Sequence, residues 1–213
     1  MTKLLANPVR GRANAAFFRL VDGYVHHVLG GRKAALFADL PGAVVEIGPG
    51  TGANLRYYSP GTQLVAIEPN PHMHAPLARC AARRGIHLDL RSVGAESTGL
   101  PSDSVDAVVC TLVLCTVPDP AAALAEARRI LRPGGRLLLI EHVAASHRTW
   151  LATLQRLLRT PWQWVFEGCD LCRPTGDLVT AAGFDDVQLE RYRLRSVFLP
   201  VNEQVAGVAV KPC

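Results

Sequence analysis

No apolar run in this chain reaches the ~18–20 residues that cross a bilayer as a helix, and the N-terminus carries no signal-peptide hydrophobic core. Those absences point to a cytoplasmic protein. Disulfide-forming cysteine spacing is missing too: Cys80, Cys110, Cys115, Cys169, Cys172 and Cys213 are scattered, two of them inside apolar runs, which suits free thiols in a reducing compartment. Cys169-Asp170-Leu171-Cys172 has redox or zinc spacing, but no second pair completes a structural zinc site, and the motif does not follow the first strand as a redox motif would. No metal is therefore expected. Internal repeats, low-complexity tracts and linkers are absent, so residues 1–213 are taken as one domain. Nor is there a clear catalytic triad.

What is present is a chain of 213 residues, 49% hydrophobic, enough to bury one continuous α/β core. Its formal net charge of +5 is concentrated at one end. Residues 1–36 hold Lys3, Arg10, Arg12, Arg19, Arg32 and Lys33 against Asp22 alone, and the remainder balances. Such an arm is either a solvated helix face or a surface for anionic ligands and lipid headgroups.

Helical spacing of Phe17, Leu20, Val21, Tyr24 and Val28 predicts an amphipathic helix over 13–29, broken near Gly30-Gly31, with a second helix over 32–40. After Pro41-Gly42, strands are expected at 43–47, 63–68, 86–90, 105–110 and 136–141. Helices are expected from about Asn54, over 71–84 and over 120–131, with a sharp turn at Arg132-Pro133-Gly134-Gly135. Two final strands fall at 187–193 and 205–211, after a helix at 175–182. Alternating strands and helices predict a parallel sheet with helices on both faces. Residues 144–175 interrupt the pattern and contain Trp150, Trp162, Trp164 and Phe166.

The chain is organised around Ala43-Val44-Val45-Glu46-Ile47-Gly48-Pro49-Gly50-Thr51-Gly52-Ala53-Asn54, an apolar run ending in an acid and followed at once by a glycine-rich turn. Glycines at 48, 50 and 52 let the backbone turn tightly and approach a ligand, and the following helix would offer free N–H groups. The pattern is E-x-G-x-G-x-G rather than the dinucleotide G-x-G-x-x-G. Glu46 beside the turn would repel a pyrophosphate and suit an amino group or a sulfonium. Glu68 ends the next strand 22 positions later. On adjacent parallel strands both carboxylates reach the C-terminal edge of the sheet, where open α/β sheets bind ligands, and Glu68 can accept two hydrogen bonds from a ribose diol.

These residues carry a resemblance. Glu46–Gly52, Glu68-Pro69-Asn70, Asp106–Cys115 and Leu131-Arg132-Pro133-Gly134-Gly135 stand in the order seen in class I S-adenosylmethionine (SAM)-dependent methyltransferases of the type 11 superfamily. The resemblance runs from about residue 13 to the end. It implies a Rossmann-like α/β fold: a seven-stranded, mostly parallel sheet with the last strand antiparallel and helices on both faces. To this the sequence adds an N-terminal helical cap (1–40) and an inserted lid (144–175). The resemblance implies SAM as cofactor and S-adenosylhomocysteine as product. It places Gly48, Gly50 and Gly52 around the methionine part, with Glu46 and Asn54 beside that turn. Glu68 would lie on the ribose with Pro69 and Asn70 next to it. Gly94, Ala95 and Glu96 would flank the adenine, and Thr111 and Leu112 the methyl side. A narrower resemblance, through Val109–Cys115, Glu141-His142-Val143, Gly168-Cys169 and Leu199-Pro200-Val201, is to the methyltransferase-like thiol S-methyltransferases of animal membranes. Those relatives carry a hydrophobic N-terminal anchor; here a basic amphipathic helix stands in that region, giving at most peripheral membrane contact.

A thiol acceptor needs little acid–base help, which fits a sequence without a triad. His142, just after the end of the fifth strand, is the candidate base or substrate-orienting group. His72 and His74 read as exposed or cap-like, and His26-His27 as a helix face. The segment 144–175 and the first helix would form an apolar lid selecting a small apolar or amphipathic acceptor, with Cys115, Trp150, Trp164 and Cys169 facing the substrate. Three alternatives stay open: O-, N- or C-methylation of a lipid, quinone or secondary metabolite; SAM binding without catalysis; and nucleic-acid methylation. Against the last, no N-P-P-[YF]-type motif stands at Cys110–Cys115, and aromatic–basic interleaving is sparse. Oligomeric state is not readable.

Overall fold

A computed structural model describes residues 8–213; Lys3 and the first part of the expected 1–40 cap lie outside them. The chain opens with helix α1 (Pro8–Leu36), then runs β1 (Ala43–Ile47), β2 (Gln63–Ile67), α2 (Pro71–Arg84), β3 (His87–Arg91), β4 (Val105–Thr111), α3 (Pro120–Ile130), β5 (Leu131–His142), α4 (Trp150–Val165), α5 (Thr175–Ala181), β6 (Asp186–Arg193) and β7 (Glu203–Val210). The seven strands form one sheet in the order β3-β2-β1-β4-β5-β7-β6. Strands β1 to β5 pair in parallel, and β7 is antiparallel to both of its neighbours. The expected α/β architecture is therefore present, with the switch in strand order falling between β1 and β4.

Alternation along the central strands explains the two-sided core. Val45, Ile47, Val108, Cys110, Leu137 and Leu139 point to one face, where Leu124, Ala127, Ile130 and Val179 cover them from α3 and α5. Val44, Leu64, Ala66, Val109 and Leu138 point to the other, against Phe37 and, from α2, Leu77 and Ala81. A parallel sheet covered on both faces needs such near-continuous apolar strands. Helix starts follow from capping chemistry: Asn70, Asp119 and Thr149 each accept a backbone N–H of the first turn, and Pro71 and Pro120 follow the first two. Gly85, left-handed at φ 65°, ends α2.

Three expectations differ. The break at Gly30-Gly31 is absent: α1 runs unbroken, because a side chain at Gly30 would press on the His26 ring and the Tyr57 hydroxyl, so glycine serves close packing there. The helix expected from Asn54 shrinks to a single 3-10 turn, Leu55–Tyr57. Tyr58 is already extended, and Pro60-Gly61 leaves no room for further turns. Arg132–Gly135 is not a separate turn; it enters β5 through a register shift opposite β4, between Val105 and Ala107.

Two glycines make opposite stability tests. A Cβ at Gly207 in β7 would collide with the backbone carbonyl of Gln188 on β6, whereas one at Gly23 in α1 meets nothing within 4 Å. Gly207→Ala is expected to destabilise by about 2–4 kcal/mol, and Gly23→Ala to stabilise by roughly 0.5–1 kcal/mol. Urea unfolding midpoints check both signs.

Candidate active site

The end of β1 passes straight into the turn at residues 48–52. Gly48 donates to the Ile67 carbonyl at 2.9 Å, and a Cβ there would overlap Val113. Gly52 lies against Leu77 and Cys80, where a Cβ would sit 3.2 Å from each. Gly50, at φ 58°, faces open space instead. The turn is thus wedged between α2 and the loop after β4, with its middle glycine turned to the outside. Gly50 N–H donates to Glu68 Oε2 at 3.0 Å, and Asn70 N–H to Oε1 at 2.9 Å. Burial pushes the Glu68 carboxyl up to about 7 despite those two donors and the nearby His74.

Glu46 departs from the expectation that it faces a cationic ligand. It is 1% exposed, and its two oxygens accept from Asn54 Nδ2 and the Tyr58 hydroxyl, both at 2.7 Å. Burial raises its pKa, and burial lowers buried Lys33 to about 8, with the Glu46 charge opposing that fall. An acid at the end of a fully covered strand must find internal donors, so it acts through Asn54. The Asn54 amide also donates to Thr111 Oγ1 at 3.1 Å, tying β1 to the end of β4. Its own oxygen, Oδ1, is buried without a partner.

The remaining residues expected at the cofactor fall into two groups. Leu112 adopts the left-handed region at φ 54°, a strained conformation for a leucine, directly after Thr111. The strain is held from below: Glu141 Oε1, fully buried, accepts from Val113 N–H at 2.9 Å and Leu114 N–H at 3.0 Å. Pro69 is exposed, and Asn70 is taken up as the N-cap of α2. Ala95 is buried, while Glu96 accepts from the Asp119 N–H at the start of α3. Glu141, expected only within the Glu141-His142-Val143 motif, repeats the pattern of Glu46 and Glu68: an apolar strand finishing in an acid.

On the other side of the Leu112 loop the structure assembles a group that no sequence spacing suggests. His142 Nε2 lies 3.0 Å from Cys169 Sγ, and Cys169 Sγ lies 3.6 Å from Cys115 Sγ. All three residues are buried, and His142 Nδ1 has no partner. Burial would lower His142, but the facing Cys115 and Glu141 raise it overall. Cys172, the other half of the C-x-x-C spacing, is not in the group; its N–H serves Asp170.

Trp150 and Trp164 need correction as substrate residues. They stand 57% and 64% exposed, on one stripe of α4 with Leu157, while Leu151, Ala152 and Gln155 supply the buried face. Each carries an arginine over its ring: Arg193 over Trp150 and Arg10 over Trp164. The helical period, not aromatic content, decides which side faces inward. The aromatic contacts between α1 and the 144–175 segment are made by Phe17 and Phe166, 5.4 Å between centroids, with Trp162 tilted against Phe166 and Phe198 edge-on to Phe17.

Residues 45–139 match a methyltransferase domain family. Human thiol S-methyltransferase TMT1B is 37% identical over 84% of this chain and 78% of its own length, and human TMT1A is 36% identical over 79% and 70%. The chain belongs to the class I SAM-dependent methyltransferases. Its fold also matches the [4+2]-cyclase SpnF, with a TM-score of 0.69 at 20% identity over 95% of this chain and 96% of that one. That likeness concerns the fold alone.

SAM is accordingly the cofactor, and the residues in place fit it. The orphan acceptor Asn54 Oδ1 suits an ammonium group, Gly50 leaves open ground above the turn, and the Glu68 carboxylate suits a vicinal diol. The charged form of Glu68 is the better acceptor, and its pKa lies near 7. SAM affinity is therefore expected to hold above pH 7 and to fall toward tenfold per pH unit below it. In Glu68→Gln that slope disappears and affinity is weak throughout. Calorimetric titration from pH 5.5 to 8.5 checks it; a wild-type affinity flat across that range would contradict the assignment.

Proposed function

We propose that this enzyme transfers the methyl group of SAM to the sulfur of a small, apolar thiol, leaving S-adenosylhomocysteine. The observation that carries the reading is what stands beside Thr111 and Leu112. Two buried thiols and one buried imidazole are there, while the neighbouring carboxylate, Glu141, is fully buried and holds backbone N–H groups through Oε1. Phenol, alcohol and amine acceptors need a competent base close to the methyl group. A thiol of pKa ~8.5 supplies a few per cent of a strong nucleophile at neutral pH without one. The likeness to thiol S-methyltransferases over most of the chain supports the same acceptor.

SAM, when bound, supplies an electrophilic methyl on a sulfonium sulfur. The protein's part is then chiefly alignment. In this reading Asn54 Oδ1 takes the amino end and Glu68 the diol, fixing the direction of the methyl group. Glu141 holds the Val113–Leu114 backbone so that Leu112 closes the methyl side, and His142 orients the acceptor. Phe17, Trp162 and Phe166 between α1 and α4 keep water away and favour an apolar acceptor.

The same reading treats the protein as one cytoplasmic domain that does not act on nucleic acid and touches membranes only peripherally. No helix among the described residues is long and apolar enough to cross a membrane. Arg32 is paired with Glu190 and Lys33 is buried, which leaves Arg12 and Arg19 exposed with Leu20 for headgroup contact.

Labelled SAM offered with thiophenol and phenol, and with an alkyl thiol and its matching alcohol, tests the acceptor. Methylated sulfur alone is expected. Methylated oxygen with inert thiols would overturn the sulfur assignment while keeping the cofactor. The same mixtures sedimented with anionic vesicles should show association that 0.5 M salt, on the order of a Debye length of ~4 Å, removes; salt-independent pelleting would contradict headgroup contact.

A further inference from the structure

We propose that Cys115, His142 and Cys169 form a three-ligand site for a soft divalent metal, zinc above all, whose fourth position takes the sulfur of the acceptor thiol. The inference rests on the thiol reading above and makes His142 orient the acceptor as a metal ligand.

Ligand type comes first. Two cysteine sulfurs and an imidazole nitrogen are the donors zinc favours, and three protein ligands with one open position is the arrangement of catalytic rather than structural zinc. Geometry agrees. A tetrahedral zinc with Zn–S of about 2.3 Å holds its two sulfurs roughly 3.7 Å apart; Cys115 and Cys169 Sγ are 3.6 Å apart. The same centre, with Zn–N of about 2.1 Å, needs imidazole nitrogen and sulfur roughly 3.5 Å apart. His142 Nε2 is 3.0 Å from Cys169 Sγ, so the ring would have to withdraw by about half an ångström. All three donor atoms lie within 4.8 Å of one another.

The site is also built rather than accidental. The ligands come from three separated stretches, and the two loops that carry the cysteines are clamped together. Asp170 N–H donates to the Cys115 carbonyl at 2.8 Å, and Arg173 Nη1 donates to the carbonyls of Leu114 and Val117 at 2.6 and 2.7 Å. Asp170 itself is held by Arg159 in a two-point ion pair. That clamp fixes Cys169 against Cys115 before any metal arrives. His142 follows Glu141, whose carboxylate fixes the backbone just before Cys115. His142 Nδ1 remains unpartnered, available as the N–H of an Nε2-bound imidazole.

Placement links the cluster to the chemistry. Ile140, two residues before His142, pairs with Thr111, and Thr111 touches the Asn54 amide. The cluster therefore stands at the same sheet edge as the cofactor turn, across the strained Leu112. An acceptor R–SH entering the fourth position gives its proton to solvent and becomes a bound thiolate at a pH where free thiols are mostly protonated. Its sulfur lone pair then forms the new S–C bond while the C–S bond of the sulfonium breaks, and those electrons stay with the departing thioether. The methylated product is a neutral thioether, a poorer zinc ligand, and leaves. No oxidant or reductant is required.

The test reads metal, not turnover. Protein purified under reducing conditions in zinc-containing medium should hold about one zinc per chain by elemental analysis, as a three-ligand buried site requires. Cys115→Ser, Cys169→Ser and His142→Ala should lose it, His142→Cys should restore it, and Cys80→Ser should leave it unchanged. Cobalt(II) loading should give thiolate-to-metal charge-transfer bands that shift when an alkyl thiol is added without SAM and do not shift with the matching alcohol. Folded protein, by circular dichroism, that takes up neither zinc nor cobalt overturns the site, as does a Cys115–Cys169 disulfide in its place. Bands unmoved by thiol overturn the fourth-ligand assignment. Full thiol methylation by metal-free protein would sink this inference and leave the proposed function standing. A metal centre in a protein that methylates only oxygen would instead refute the function.

Discussion

The arrangement depends on one buried side-chain amide. Asn54 joins the end of β1 to the end of β4 by donating to Glu46 and to Thr111, and it can do so only because the chain turns back on itself through Gly48, Gly50 and Gly52 within a few residues. Glu46 needs the amide as much as the amide needs Glu46. A carboxylate at 1% exposure would be costly without donors, and among the described residues Asn54 and Tyr58 donate to it. The short 3-10 turn after Asn54 is what brings Tyr58 back within reach; a longer helix would carry it away. Local structure, packing and electrostatics are thus settled by one set of contacts, and the free oxygen of the same amide is left for a ligand.

Three acids end apolar strands at this edge, and each is neutralised differently. Glu46 is met by side chains, Glu68 by the backbone of the turn and of the α2 cap, and Glu141 by the backbone after β4. Only the Glu68 arrangement uses donors that lie on the open side of the sheet edge, which is why it is the acid suited to a diol. Glu141 faces inward and acts on shape. By holding Val113 and Leu114 it sustains the positive φ of Leu112, and with it the relation between the cofactor turn and the Cys115–His142–Cys169 group. Strain at such a position persists only when its surroundings over-determine it, as they do here.

The sheet was legible because its signals are local. Apolar runs of strand length, punctuated by glycine, proline and capping residues, locate six of the seven strands to within about two residues, while β5 begins at Leu131, ahead of the expected 136, because Arg132–Gly135 reads as a turn. The register of Glu46 and Glu68 follows from strand adjacency. What escaped the sequence is what needs three dimensions. Gly30-Gly31 reads as a helix break, but α1 continues through it and Gly30 is a place of close approach to His26 and Tyr57. Glu46 reads as an open acid but turns inward to Asn54. Trp150 and Trp164 read as lid residues by composition, yet their seven-residue spacing with Leu157 sets them on the outer stripe of α4. Cys115, His142 and Cys169 are each expected on the substrate side, but their grouping is not readable, since they come from the loop after β4, the end of β5 and the stretch after α4, and the C-x-x-C spacing pairs Cys169 with Cys172, which stays outside the group.

The most direct measurement of the central claim is a crystal structure of the protein with S-adenosylhomocysteine bound. The account predicts its amino group within hydrogen-bond distance of Asn54 Oδ1, its ribose diol on the Glu68 carboxylate, and its sulfur directed past Leu112 toward Cys115 and His142. A molecule bound elsewhere on the sheet edge, or one that leaves Asn54 Oδ1 and Glu68 untouched, would contradict it.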